Sequence, residues 1–415
     1  MKNIVLILTD DQRWDTVDAM PKTLGIFSGG TRFLNAFATT PECAPARACI
    51  LTGQYARHHG VKSNAHGHRL QTAHSLAPWL QAAGYETWYG GKYLNRYDTL
   101  SVPPGWDAWK VFKGTPSYYD YDINNNGTSQ SYDGLTSHYS TDLLCKKAVA
   151  FIEHAAAPPW CLVYAPKAPH SVGNGPAIPA PRHQGDSVTL PAKPLSYNVV
   201  DVSHPDWVHT TNAWTGAKQG KYDLNARHSL RALKAVDDAV ENIFNAVGEA
   251  GQLAEPLFIY PSDGGFLLGE HRLKGKLYPY EESIRTPLLI RCGGAPPSAT
   301  SAGIALGIDL LPTVLDFADA SISSSVDGLS LRPVLEGTAP AVRSDCLVEC
   351  WESKKGLRPY VGVRGQDYLY TEYDTSEREY YDLATDPYQL VNVFGQPAYA
   401  AAVTAAQGRL AALGA

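Results

Sequence analysis

Short apolar runs alternate along this chain with longer segments whose apolar positions recur every three to four residues. That is the pattern of a sheet covered by helices. Ile4 to Leu8, Glu86 to Tyr89, Cys161 to Ala165, Leu257 to Tyr260 and Leu288 to Arg291 read as buried strands. Helices are predicted between them: Ser75 to Ala83, stopped by Gly84; Tyr139 to Ala157, ending at Pro158-Pro159; Asn225 to Glu249, ending near Gly251; and Asp309 to Ala318. Two regions break the rhythm. From Ser171 to about Tyr222 the chain is rich in Pro, Gly, His and Trp without periodicity, as expected of long surface loops that rim a pocket. From about Pro340, Val361-Gly362-Val363, the run Tyr368 to Tyr373 and an Ala-rich terminal helix predict a small antiparallel sheet with one helix. The expectation is an α/β fold with a large mixed, mostly parallel sheet flanked by helices. It divides into a catalytic part over 1–338 and a C-terminal subdomain over 339–415. Active groups in such a layout sit at the carboxyl ends of the parallel strands.

Composition narrows the function. A chain of 415 residues with 44% hydrophobic content buries a large core. Its net charge of -6 and lack of a dense Lys/Arg run argue against nucleic acid as a partner. No apolar stretch reaches the roughly 20 residues of a membrane span. The first apolar run is too short for a signal peptide, so the expected location is the cytoplasm, or outside it if a leader has been removed. Seven cysteines without a Cys-x-x-Cys pair suggest neither a disulfide scaffold nor a zinc site. Cys346 and Cys350 read as free buried thiols or as a pair.

Two constellations carry candidate chemistry. Asp10-Asp11 stands where the first strand ends. Alternating side chains let both carboxylates face one site only if the chain turns there, and a cation would relieve their repulsion. Hard oxygen ligands of this kind suit Ca²⁺ or Mg²⁺; taken alone, the pair also reads as a solvated turn or helix cap. The second is Cys43-Ala44-Pro45-Ala46-Arg47, followed by Leu51-Thr52-Gly53. Here the sequence resembles the type I sulfatase family of the alkaline phosphatase superfamily, whose signature is Cys-x-Pro-Ser/Ala-Arg with Leu-Thr-Gly after a short gap. Further resemblances are Gly91-Lys92-Tyr93-Leu94-Asn95, Ala168-Pro169-His170, Ser262-Asp263-Gly264-Gly265, Gly269-Glu270-His271, Gly275-Lys276 and Tyr380-Tyr381-Asp382-Leu383. They cover nearly the whole chain.

The resemblance implies that Cys43 is converted to formylglycine by a maturation enzyme and that the hydrated aldehyde is the nucleophile. A serine attacking sulfur would be left as a stable ester. A gem-diol attacks with one hydroxyl and, when the other loses its proton, expels sulfate. It also implies Asp10, Asp11, Asp263 and residue 43 as ligands of Ca²⁺, with Mg²⁺ the alternative. Arg47 would orient the diol, Lys92 and Lys276 would neutralise the sulfate oxygens, and His170 would donate to the leaving oxygen or to a sulfate oxygen. Asn95 and His271 are further candidates for substrate contact. His58 and His59 read as loop or supporting residues, Asp237 and Asp238 as a solvated helix face, and Trp106 and Trp109 as core or as sugar-stacking rings.

Three positions depart from the family pattern. Gly264 stands where Asn or His usually follows the third aspartate, Leu94 where many members have a histidine, and Ala46 where serine is common. The wording around Lys92 resembles the glucosamine-6-sulfatases, so a carbohydrate sulfate is the expected substrate. The rival readings are a phosphomonoester or phosphonate monoester hydrolase of the same superfamily, and a metal-poor protein that only binds sulfated sugars.

Overall fold

The computed structural model describes residues 2–155, 159–252, 256–293, 299–322, 324–353 and 356–414. One sheet contains β1 (Ile4–Ile7), β2 (Thr31–Phe37), β3 (Glu86–Gly91), β4 (Ala108–Lys113), β5 (Tyr121–Asn125), β6 (Thr128–Tyr132), β7 (Trp160–Ala165), β8 (Leu257–Pro261), β9 (Leu288–Arg291) and β10 (Ala299–Leu306). Their order is β10-β2-β9-β8-β1-β7-β3-β4-β5-β6. The central strands β8, β1, β7, β3 and β4 are mutually parallel. Antiparallel β9, β5 and β6 make the sheet mixed.

Alternation along β1 explains the two cores. Ile4, Leu6 and Leu8 enter the core beneath the helices Cys43–Thr52, Leu76–Ala82 and Leu310–Phe317, while Val5 and Ile7 enter the core beneath Ser140–His154 and Gly216–Glu249. The five expected strands are present. The chain adds β2, β4, β5, β6 and β10, whose polar residues hid them: Tyr121–Asn125 and Thr128–Tyr132 are mostly Asp, Asn, Ser, Thr and Gln. The helix expected from Tyr139 is Ser140–His154; part of its expected end, 156–158, lies outside the described residues. The helix expected from Asn225 begins at Gly216, where the Thr215 hydroxyl caps the Lys218 amide, and its polar first turns carry no apolar stripe to announce it. Asp237 corrects the solvated-face expectation. It is buried, and it accepts from the Thr23 amide and hydroxyl and from the Lys22 amide at the start of the helix Pro21–Phe27. Trp106 and Trp109 are core residues, and all seven cysteines are buried and outside any disulfide.

At the C-terminus β11 (Asp345–Cys350), β12 (Tyr360–Gly365), β13 (Tyr368–Tyr373) and β14 (Arg378–Asp382) form an antiparallel sheet in chain order, covered by the helix Ala400–Ala412. Its core is continuous with Phe37, Cys49, Tyr55 and Ile284 of the main part. Glu379 accepts from the hydroxyls of Tyr280, Tyr373 and Tyr381, and Arg364 pairs with Glu281. These contacts brace the turn Glu281–Ile284, whose Ser283 carbonyl accepts from the Gly265 amide, two residues past Asp263. Among the described residues no helix is long and apolar enough to cross a membrane.

Candidate active site

Four neighbouring parallel strands, β8, β1, β7 and β3, deliver Asp263, Asp10 with Asp11, His170 and Lys92 just past their carboxyl ends. The turn required after β1 is present: Asp11 adopts a left-handed φ of 61°, a conformation few non-glycine residues take. It brings both carboxylates to one place. At the end of β3, Gly91 has φ 115°, and a Cβ there would lie 1.9 Å from the Ala165 carbonyl oxygen. Only glycine lets β3 close on β7 at this point and send Lys92 into the site, its amide bound to that same carbonyl at 2.8 Å.

The signature segment is a wholly buried helix, Cys43–Thr52. Cys43 opens its first turn, where Pro45 is tolerated because the missing N–H has no partner to lose. Arg47, four residues on, shares the face of Cys43. Thr52 donates to the Ala48 carbonyl, and Gly53, left-handed at φ 67°, ends the helix with its N–H on Cys49. Leu51-Thr52-Gly53 is thus the stop of the helix whose start holds residue 43.

Around Cys43 the ligand atoms of Asp10, Asp11, Cys43 and His170 lie within 4.8 Å of one another. Cys43 Sγ is 3.6 Å from Asp10 Oδ1 and 4.0 Å from Asp11 Oδ1. Lys92 Nζ donates to both Asp10 oxygens at 2.7 Å, and Lys276 Nζ donates to Asp11 and to Cys43 Sγ. Asp263 accepts from Arg47 Nε at 2.7 Å and from the Asp11 amide at 3.0 Å. Arg47 also binds the Lys92 carbonyl at 2.6 Å, while its buried Nη2 has no hydrogen-bond partner. His170 Nε2 stands 3.4 Å from Asp11 Oδ2, and its Nδ1 lies 2.7 Å from the Ser171 carbonyl.

Burial and charge oppose each other here. Burial pushes Asp10 up, but Lys92, His170, Arg47 and Lys276 outweigh it and hold the carboxyl well below its usual range. Burial, opposed by Arg47 and reinforced by Asp10, raises Asp263. Lys276 is depressed by burial yet held well above its ordinary value by Asp11, Cys43 and Asp263. Burial lowers His170 and pushes the Cys43 thiol up to about 11. An unmodified Cys43 is therefore a neutral thiol at neutral pH, poorly suited to attack.

Asp10, Asp11, Asp263, Cys43, Arg47, Lys92, His170 and Lys276 thus come together. Two candidates stand apart. His271 is fully buried and stacks on Tyr280 at 4.2 Å with neither ring nitrogen hydrogen-bonded, because the left-handed turn at His271 (φ 51°) folds it into the aromatic core; this corrects the substrate-contact expectation. Asn95 is half-buried, its Oδ1 lacks a partner, and its backbone carbonyl packs on Gly67. His58 pairs with Asp327 and His59 with Cys49, both in supporting positions. The residue that sequence reasoning missed is Lys167. It is 4% exposed, its Nζ lies 3.4 Å from His170 Nδ1, and it forms no ion pair among the described residues. A charged residue directly after the apolar run Trp160 to Pro166 was the available signal.

A hard divalent cation fits this donor set: the buried carboxylates of Asp10 and Asp11 lie beside residue 43, and buried Asp263 adjoins them through the Asp11 amide, with lysines and an arginine to balance the charge. A Cβ on Gly264 would meet nothing within 4 Å, which leaves room beside Asp263 for a water or substrate oxygen in place of a side-chain ligand. Next to this cluster opens a cavity of about 260 Å³ lined by Asp11, Arg13, His170, Tyr222, Asn225 and Lys274. The loops from Ser171 onward, Gly173 to Ala177 and Pro191, form one wall, as their composition predicts.

Comparison with known proteins bears on this geometry. A sequence model described as Sulfatase matches residues 2–320, and one for the C-terminal part of N-sulphoglucosamine sulphohydrolase matches residues 269–415. A putative extracellular sulfatase Sulf-1 homolog of Caenorhabditis elegans is 35% identical over 347 residues, covering 79% of this chain and 48% of that protein. An N-acetylglucosamine-6-O-sulfatase of Bacteroides thetaiotaomicron is 30% identical over 480 residues, covering 96% of this chain and 83% of that protein. The chain thus spans about half the length of the nematode relative and most of the bacterial one. A solved structure in complex with its substrate D-glucosamine-2-N,6-O-disulfate superposes with a TM-score of 0.83 at 27% identity, covering 99% of this chain and 97% of the other.

Proposed function

The chain belongs to the sulfatase family, and from that membership we propose that it hydrolyses a sulfate monoester of a carbohydrate, an amino sugar or glycosaminoglycan unit, to an alcohol and inorganic sulfate. The family generally uses formylglycine and a divalent metal. The reading assigns the modification to position 43 and Ca²⁺, with Mg²⁺ the alternative, to Asp10, Asp11, Asp263 and residue 43. The observation that carries it is the clustering of Asp10 and Asp11 on residue 43, tied by Lys92 and Lys276, with Asp263 joined to it through Arg47 and the Asp11 amide.

When bound, the cation supplies positive charge beside the sulfate oxygens. This chain's own residues do the rest. Arg47, fixed by Asp263 and the Lys92 carbonyl, has Nη2 free to hold an oxygen on residue 43. Lys92, Lys276 and Lys167 supply donors where charge grows on the sulfate oxygens, and burial makes them count for more than they would in water. His170, with Nδ1–H held by the Ser171 carbonyl, presents Nε2 to the leaving oxygen and gives it a proton only in the imidazolium form, which the neighbouring Asp10 and Asp11 favour and burial opposes. The adjoining cavity receives the sugar, and Arg13, Asn225 and Lys274 offer polar contacts to it. The substrates named for the bacterial relative and for the superposed complex support an amino sugar sulfate.

Three measurements test this: mass spectrometry of the peptide holding residue 43, metal analysis, and turnover of an aryl sulfate beside the aryl phosphate of the same phenol. The expected result is formylglycine at 43, a stoichiometric divalent cation, preference for the sulfate, and no turnover by a folded Cys43→Ala protein. Activity retained by Cys43→Ala, or a preference for the phosphate, would overturn it.

A further inference from the structure

Between Glu42 and Glu86 the chain carries no acidic residue but four Lys/Arg and five of its 13 histidines, in a protein whose net charge is -6. The structure sorts these charges. Arg47 and His59 are buried, Arg57 pairs with Glu349, and His58 pairs with Asp327. Lys62, His66, His68 and Arg69 remain at the surface on the segment after Gly60, which packs on the start of the signature helix: Asn64 Oδ1 accepts from the Ala44 amide at 2.8 Å, one residue from the nucleophile position. Gly67 packs so tightly on the Asn95 carbonyl that a Cβ would come within 1.9 Å, which sets exposed Arg96 beside the same segment. Lys62, His68, Arg69 and Arg96 form no ion pair among the described residues. Trp351, 38% exposed, lies under Lys62 Nζ with 3.9 Å to the ring centroid.

Resting on the hydrolase reading above, we propose that Lys62, His66, His68, Arg69 and Arg96 with Trp351 form a second binding site, which holds sulfate groups of a polysaccharide chain running on from the sugar at residue 43. A sulfated chain presents strong anions at intervals on rings with apolar faces, and a row of unpaired cations beside an exposed indole matches both features. The rim also repels itself. His66 is held below its ordinary value, chiefly by burial and then by Arg69 and His68, with Glu352 acting the other way. A bound polyanion removes that repulsion. The position favours carbohydrate over nucleic acid, because the segment that carries these cations packs on the start of the helix holding residue 43, whereas the chain as a whole is acidic.

The test uses the full chain with Cys43→Ala, so that binding is read without turnover, with and without Lys62→Gln/Arg69→Gln/Arg96→Gln. Titration with a heparin decasaccharide at low and at moderate salt is expected to show affinity at least about tenfold weaker in the triple variant, with a shallower salt dependence. In the active protein the same triple change is expected to raise KM for the decasaccharide and leave kcat and the KM for a small aryl sulfate unchanged. Equal decasaccharide affinity in the two proteins would overturn the proposal, as would equally tight binding of single-stranded DNA of matched charge, or a KM rise on both substrates. Failure of the intact protein to cleave either ester strikes the hydrolase reading alone, because the binding measurement does not depend on turnover.

Discussion

Replacing Lys167 with methionine separates what this lysine does for the reaction from what it does to the fold. Its ammonium is buried against His170 and the ring of Tyr118, with Asp10 the nearest source of compensating field, and burial pulls its pKa from 10.5 to about 8. At 1.36 kcal/mol per pH unit that drop corresponds to about 3 kcal/mol by which the folded state disfavours the charged form. Below pH 8 the lysine is protonated in both the folded and unfolded chains, so the folded protein carries the full cost. Between pH 8 and 10.5 the folded form sheds the proton and the cost shrinks; above 10.5 it is gone. Methionine fills similar volume without the charge. Lys167→Met should therefore melt higher at pH 7, by about 3 to 4 °C for a chain of this length, and the gap should close as pH approaches 10.5. Meanwhile kcat/KM on an aryl sulfate should fall about 10- to 100-fold, the loss expected when a charged donor to an anion is removed. Scanning calorimetry from pH 7 to 10 beside steady-state kinetics reads both effects. A melting temperature at or below that of the parent at pH 7, or unchanged kcat/KM, would refute the reasoning.

Two further substitutions probe the frame of the site. Arg47→Met strands the buried Asp263 carboxylate, both partners being 0% exposed in their side chains; a loss of about 3 to 5 kcal/mol in urea unfolding is expected together with loss of turnover, and an unfolding midpoint equal to that of the parent would contradict it. Gly91→Ala places a Cβ 1.9 Å from the Ala165 carbonyl at a left-handed φ, so a destabilisation of at least about 2 kcal/mol is expected; a soluble variant as stable as the parent would show that β3 and β7 can part without cost.

The sequence revealed most where a residue type answers a single physical need. The strands buried on both faces are continuous apolar runs and were legible, whereas Tyr121–Asn125 and Thr128–Tyr132 lie at the sheet edge with polar residues and were not. Asp10-Asp11 predicted a turn, and the left-handed Asp11 supplies it. His271 failed because proximity in a motif does not fix direction: its backbone turn sends the ring away from Lys276 and into Tyr280. Lys167 was overlooked because a lone lysine reads as a surface charge; only the fold reveals that this one is buried against His170, in the field of Asp10. Asp237 misled for the same reason, being a carboxylate on a helix whose partner sits more than 200 residues away in sequence.

The signature helix leaves a mark on the order of events in the making of this protein. Every residue from Cys43 to Thr52 is enclosed, and Cys43 itself is 2% exposed. A separate protein acting on that cysteine cannot reach it once β1, β3 and the C-terminal sheet have closed around the helix. Any chemical change at position 43 therefore belongs to the nascent or unfolded chain, and the speed of folding sets the time available for it.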